Sequence, residues 1–454
     1  MLYSINPTDS KIIASYEEMD KEQISKKIEK AYSTFLNWKE TDFNFRSQRM
    51  KKAAFILRDE KEKFAKLMTM EMGKPIAQSR GELEKCAWVC EYFAENAESF
   101  LKDEIIETDA QKSFVTYQPL GVVLAVMPWN FPFWQVFRFA APNLMAGNAG
   151  ILKHSSNVSG CALAIEKIFI DAGFPEGIFS SIIVSSKNMN SVIEDKRIKA
   201  VTLTGSVPAG RNIAEKAGAV LKKTVLELGG SDPYIVLDDA DLEKAAEICC
   251  TARLLNGGQS CIAAKRFIIS LSVYDKFEKL FIQKMSEKKM GDPLDEANYL
   301  GPQASMQLRD ELHRQVLESI KKGAKLVLGG TLPEDKGAFY PPTILTDVKK
   351  GMPAYEEELF GPVAAIIKAE DEDDAIRIAN DTTFGLGAAI FTNDIKRGEL
   401  IAKEKLNAGC CFVNEFVKSD PRLPFGGIND SGYGRELAVF GIKEFVNIKT
   451  VYVK

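Results

Sequence analysis

Ile24, Ile28, Ala31 and Phe35 recur at helical spacing with lysines and glutamates between them, the mark of an amphipathic helix. Phe55, Ile56, Phe64 and Leu67 extend the pattern, so residues 21–70 read as two helices. Leu83, Trp88 and Phe93 predict another over about 81–100. Helices of this length and polarity pack on a sheet. From residue 114 the pattern changes. Residues 114–119 read as an exposed strand. Residues 122–126 are wholly apolar, as buried parallel strands are, and 150–153, 200–204 and 234–237 are similar. Helical stretches at 160–172, 208–218 and 241–253 separate these strands. That alternation predicts an α/β fold with right-handed crossovers. A second alternation, from Phe267 to about Phe412 with a Gly/Pro/Asp-rich break at 329–343, predicts a second α/β domain. Residues 445–453 form a strand near the end of the sequence. An unpaired strand there is an aggregation hazard, so it is expected to pair with another chain.

The totals narrow the class. A chain of 454 residues accommodates two or three domains. A net charge of −4 gives no reason to expect nucleic acid or an anionic membrane. The strongest apolar stretch, 121–129, is far short of a bilayer span. The first residues lack the charged-then-apolar layout of a signal peptide, and the reading is a cytoplasmic enzyme. Eight scattered cysteines make no disulfide framework in a chain this long. With two histidines, His154 and His313, and no CxxC spacing, no metal site is expected.

The chemistry concentrates on two runs. Cys261 ends Asn256-Gly257-Gly258-Gln259-Ser260-Cys261, a turn that frees its backbone N–H to face a reacting atom. Glu227 sits in Leu226-Glu227-Leu228-Gly229-Gly230, where an otherwise apolar strand makes a carboxylate costly to bury without a job. A nucleophile with a carboxylate base is a catalytic pair that needs no histidine. Three further runs follow strands, where open α/β sheets bind ligands. Asn130, between prolines in Met127-Pro128-Trp129-Asn130-Phe131-Pro132, is an oxyanion donor or a turn former. Lys153, beside Ser155 and Ser156, suits a ribose or phosphate, or is a solvated surface lysine. Gly205 and Ser206 open a helix whose N-terminus favours an anion. The run is neither GxGxxG nor a P-loop, because Arg211-Asn212 stand where Lys-Ser/Thr is required.

The order of these runs carries more than any one of them. Asn130, Lys153, Gly205-Ser206, Glu227-Leu228-Gly229-Gly230, Cys261 and Glu358-Leu359-Phe360-Gly361-Pro362 follow one another. Glu71-Met72-Gly73-Lys74-Pro75 precedes them, and Pro424-Phe425-Gly426-Gly427 and Ser431-Gly432-Tyr433-Gly434-Arg435-Glu436 follow. In this the chain resembles the aldehyde dehydrogenase superfamily over nearly its full length. The resemblance implies two Rossmann-type α/β domains plus a β oligomerisation element. The cofactor-binding domain would comprise 1–100 and 120–229, and the catalytic domain 230–435. Residues 101–119 and 436–454 would form the oligomerisation element of a homodimer or homotetramer. It implies that Cys261 attacks an aldehyde, that Asn130 and the Cys261 N–H hold the oxyanion, and that Glu227 activates water to release an acid. Members that pass the acyl group to coenzyme A lack this glutamate, so hydrolysis is expected.

The cofactor implied is NAD or NADP. Trp129 and Lys153 resemble adenosine-ribose contacts, Gly205 and Ser206 the pyrophosphate contact, and Leu228 and Glu358 nicotinamide-side contacts, with Phe360 nearby. NAD-preferring members often carry a glutamate where this chain has Ser156, so dual use or a tilt to NADP is expected. Arg138 resembles the substrate-carboxylate ligand of succinate-semialdehyde dehydrogenases, an arginine fork being suited to a carboxylate; the alternative is a structural ion pair. Ser419 is a second candidate for that carboxylate. A second arginine of other such enzymes is Leu255 here, which points to weaker carboxylate affinity or a broader specificity for aliphatic or other semialdehydes. A neighbouring cysteine that acts as a redox switch in some members is Ala263 here, so no such switch is expected.

Overall fold

The computed structural model describes residues 1–186, 189–334 and 337–454. Two mainly parallel sheets organise it. One runs in the order Gly432–Tyr433, Lys223–Glu227, Ile198–Thr204, Val122–Met127, Ala149–His154, Phe179–Ser181. The other runs Lys325–Leu328, Thr343–Thr346, Val363–Ala369, Ala264–Ser270, Asp232–Val236, Gly387–Phe391, Cys410–Val413. The predicted apolar strands are the central ones, buried on both faces. This is the predicted α/β class. The 329–343 break holds loop and the start of the strand Thr343–Thr346; its residues 335–336 lie outside the described ones.

The buried side chains divide near residue 230. One core is drawn chiefly from residues between Ile24 and Leu228. Two others lie on either side of the second sheet, between Tyr234 and Val417. The strand Lys223–Glu227 ends where the first core ends, and the strand Asp232–Val236 begins the second sheet. Glu227 and the glycines after it therefore lie at the crossing between the two sheets.

The helical N-terminal half departs from expectation in two ways. Residues 21–70 hold three helices, Lys21–Trp38, Phe43–Asp59 and Lys61–Met72, not two. Asp20 and Asp42 cap the first two by accepting the N–H of Gln23 and Phe45. The second break falls at Glu60, inside the charged run Asp59-Glu60-Lys61, where no Gly or Pro announces it. The helix predicted at 81–100 starts earlier, as Ile76–Phe100. It packs on Phe43–Asp59 and Trp134–Met145, helices rather than a sheet.

The tail strand, Val446–Val453, is corrected in its partner. It pairs within the chain, antiparallel to Lys112–Pro119 from Val446↔Pro119 to Val453↔Lys112. With Glu104–Ile105 these make a three-stranded sheet in which the tail is an edge. Ile105, Ile448, Tyr452 and Val453 are exposed on it. Among the described residues no helix is long and apolar enough to cross a membrane.

Candidate active site

The Cys261 turn is built by left-handed backbone. Asn256 and Gly257 have φ of 57° and 62°, a conformation that favours Gly and Asn. Asn256 Nδ2 donates to the carbonyls of Asn130 (2.8 Å) and Gln259 (3.0 Å), and Asn130 Nδ2 donates to Gln259 O at 3.1 Å. These bonds pin the Asn130 turn to the Cys261 turn. One Nδ2 hydrogen of Asn130 stays free for a ligand. The Cys261 N–H makes no hydrogen bond among the described residues. Both expected oxyanion donors are thus present on tethered turns.

Lys265 supports the turn from the next strand. It is fully buried, its Nζ donates to Ser260 O at 2.9 Å and Cys261 O at 2.6 Å, and Glu358 Oε1 lies 3.4 Å away. Glu358 Oε1 also accepts the Gly230 N–H at 3.1 Å. One lysine therefore joins the Cys261 turn to the carboxylate expected at the nicotinamide. At Gly230 any Cβ would fall 2.8 Å from Cys261 O, so the glycine lets the two segments touch.

Glu227 is buried at the end of its strand, with no hydrogen-bond partner for either carboxylate oxygen. Burial, and next the charge of Glu436, raise its pKa well above the carboxylate range. Burial pushes the Cys261 thiol up to about 12, while Arg138 and Lys265 pull it back down. No histidine assists. His154 is locked between the carbonyls of Met127 and Pro132 and held down to about 4 by burial; His313 faces Tyr340.

A cavity of 550 Å³ opens at Cys261, its walls including Lys85, Trp134, Arg138, Ser419 and Phe425. Leu255 and Ala263 also line it. Arg138 is more committed than the sequence implies. It is an ion-pair partner of buried Glu436, its Nη2 donates to Thr204 Oγ1 at 3.3 Å, and its guanidinium lies 4.8 Å from the Phe425 ring. The structural ion pair raised as the alternative is present, at a residue that also faces the cavity. Ser419 is buried on the same wall and accepts a hydrogen bond from Lys85.

Of the residues expected at the cofactor, Trp129, Lys153, Ser156, Gly205, Ser206 and Leu228 lie at or just after the carboxyl ends of first-sheet strands, while Glu358 and Phe360 precede Val363–Ala369 of the second sheet. Trp129 and Phe360 meet edge to face at 5.7 Å. Leu228 is buried between Glu227 and Gly229. Lys153 is half-buried, without an ion pair among the described residues, and burial lowers its pKa. Ser156 is exposed. Ser206 starts the helix Val207–Ala219 without its hydroxyl bonding the helix end. A Cβ at Gly205 would meet nothing closer than Leu203 at 3.6 Å, so the backbone there is open to approach. A free cation, hydroxyls and an open helix N-terminus are a donor set that fits a dinucleotide phosphate.

Three residues were given no role from sequence. Lys265 had a signal, a lysine inside an apolar strand. Glu436 stood in a quoted run without an assignment. Lys85 had none, since a lysine on a helix reads as solvated.

A model of the aldehyde dehydrogenase family matches residues 2–451. The chain is 48% identical to a probable succinate-semialdehyde dehydrogenase [NADP(+)] of Synechocystis, over 99% of each chain. It is 46% identical to a succinate semialdehyde dehydrogenase [NAD(P)+] of Escherichia coli, over 99% of this chain and 97% of that one. Its structure is similar to that of succinic semialdehyde dehydrogenase from Streptococcus pyogenes in complex with NADP+, with a TM-score of 0.98, 38% identity and full coverage of both chains.

Proposed function

Since the chain belongs to the aldehyde dehydrogenase family, we propose that it oxidises succinate semialdehyde to succinate with NAD or NADP. The observation that carries this reading is the single cavity in which the Cys261 thiol shares walls with Arg138 and Ser419. The Cys261 thiol gives up its proton to solvent water, and Sγ adds to the aldehyde carbon. The oxyanion takes hydrogen bonds from Asn130 Nδ2 and the Cys261 N–H. When bound, NAD or NADP supplies the two-electron acceptor for the hydride that leaves this carbon. The product on the enzyme is a thioester of Cys261. Glu227 then takes a proton from water, the water oxygen adds to the thioester carbon, and the C–S bond breaks to release the acid. Trp129, Lys153, Ser156, Gly205, Ser206, Leu228, Glu358 and Phe360 are proposed as the cofactor contacts. The domain limits set out from sequence are proposed with them, as is a homo-oligomer built through the open tail edge.

The test is a panel of aldehydes from C2 to C6, with and without a terminal carboxylate, against both cofactors at 340 nm. A kcat/KM for succinate semialdehyde about 10- to 100-fold above that for butanal is expected, the worth of one charge-assisted contact. Equal values favour the alternative, a broader-specificity aliphatic aldehyde dehydrogenase.

Exposed, uncharged Ser156 leaves room for a ribose 2′-phosphate. NADP use at least equal to NAD is therefore expected of the native enzyme. Ser156→Glu should lower the NADP/NAD ratio of kcat/KM by about tenfold or more, since a carboxylate beside a phosphate is a like-charge clash of about 1.4 kcal/mol or greater. Strict NAD use by the native enzyme counts against the assignment.

A further inference from the structure

We propose that Lys85, with Ser419, is the direct ligand of the substrate's terminal carboxylate, and that Arg138 contributes from behind by its charge. The inference rests on the succinate-semialdehyde reading and names the residue that makes the contact. Lys85 lies on the helix Ile76–Phe100, half-buried, on the wall of the cavity that contains Cys261. Its Nζ has three N–H donors. One serves Ser419 Oγ at 2.8 Å, and the ammonium lies 4.3 Å from the centre of the Trp134 ring, at its face. Lys85 makes no ion pair among the described residues.

The acids around it are engaged elsewhere. Glu82, one turn earlier, is ion-paired with Lys74, and its other oxygen accepts the N–H groups of Phe133 and Trp134. Asp420 is held by the Arg422 guanidinium and backbone N–H. Lys418, also on the wall, is paired with Glu415. Arg138 already has Glu436 as its counter-ion and donates to Thr204. Among the described residues, Lys85 is thus the one ammonium on the cavity wall without a counter-ion, Lys74 and Lys418 both being paired. A partly desolvated cation in that state is costly, and an incoming carboxylate removes the cost. Trp134 below it and the hydroxyl beside it hold the ammonium in place.

Burial and the charge of Arg138 bring the Lys85 pKa down to about 8, with Cys86, Glu82 and Asp420 opposing. The charged form binds a carboxylate. The KM for succinate semialdehyde should therefore rise as pH passes about 8, while that for butanal should not.

The experiment compares the native enzyme with Lys85→Met, Lys85→Gln and Lys85→Arg, using succinate semialdehyde and butanal. Lys85→Met and Lys85→Gln should raise the KM for the semialdehyde tenfold or more. Butanal kcat/KM should stay within about twofold, which also shows that the variants fold. Lys85→Arg should restore most of the affinity, and the rise in KM above pH 8 should vanish in Lys85→Met. Inhibition by succinate should weaken in parallel. If the native enzyme prefers the semialdehyde and Lys85→Met and Lys85→Gln keep that preference, Lys85 is not the ligand although the substrate reading stands. Parallel loss of both aldehydes also overturns the proposal. If the native enzyme shows no preference, the substrate reading fails and this inference with it.

Discussion

Glu227→Gln should give one rapid equivalent of reduced cofactor per active site and then almost stop. The prediction follows from dividing the chemistry between two residues. Forming the thioester uses the Cys261 sulfur, Asn130 and a bound cofactor, and neither Cys261 nor Asn130 is hydrogen-bonded to the Glu227 carboxylate. Releasing the acid needs a base for water, the role proposed for the buried carboxylate of Glu227, both of whose oxygens are unpartnered among the described residues. Removing a general base costs about 10²- to 10⁴-fold, so the steady-state kcat should fall by that much while the burst survives. Mass spectrometry of the stalled enzyme should show one succinyl group on Cys261. A strong external nucleophile such as hydroxylamine should restart turnover. A steady-state rate within threefold of native would falsify the assignment. Burial raises the Glu227 pKa, and the base form is the deprotonated one. Native kcat should therefore climb with pH through a value above the ordinary carboxylate range, and Glu227→Gln should flatten that limb.

How far this site was legible in sequence depended on whether a residue's environment was local. Glu227 and Cys261 could be found because their immediate neighbours, apolar on one side and glycine-rich on the other, already state their surroundings. The strands at 122–126, 200–204 and 234–237 were legible for the same reason, being apolar over their whole length. The break at Glu60 was not, because a charged, helix-favouring run gives no local sign where tertiary packing bends the chain. The tail strand was read correctly as a strand. Read by itself it carried no sign of its partner, since register with Lys112–Pro119 is a long-range fact; only the family resemblance grouped 101–119 with 436–454. Lys85 and Glu82 share a helix face in sequence, but only the fold shows that Lys74 and two backbone N–H groups occupy Glu82. Arg138 shows the limit most clearly: the family resemblance pointed to it at the substrate, and only three dimensions revealed its pairing with Glu436.

That pairing sets the second large effect. Arg138→Met should cost about 3–5 kcal/mol of stability, because it strands the Glu436 carboxylate in a buried site. The loss should appear as a lower urea midpoint. Combining Arg138→Met with Glu436→Gln should recover much of it, since removing both charges removes the uncompensated one. A single variant as stable as native would show that the pair is not a desolvated one. The same change bears on Glu227. Arg138 lowers its pKa and Glu436 raises it. Arg138→Met should therefore move the rising limb of kcat to higher pH, and Glu436→Gln should move it to lower pH. Because Arg138 acts on stability, on the base and on the cavity together, a fall in succinate-semialdehyde turnover alone says nothing of a carboxylate contact. The informative quantity is the ratio to butanal at a pH where Glu227 is ionised in both proteins. If Arg138 acts chiefly through its charge, that ratio should fall less in Arg138→Met than in Lys85→Met, even though Arg138→Met is the more damaging to the fold.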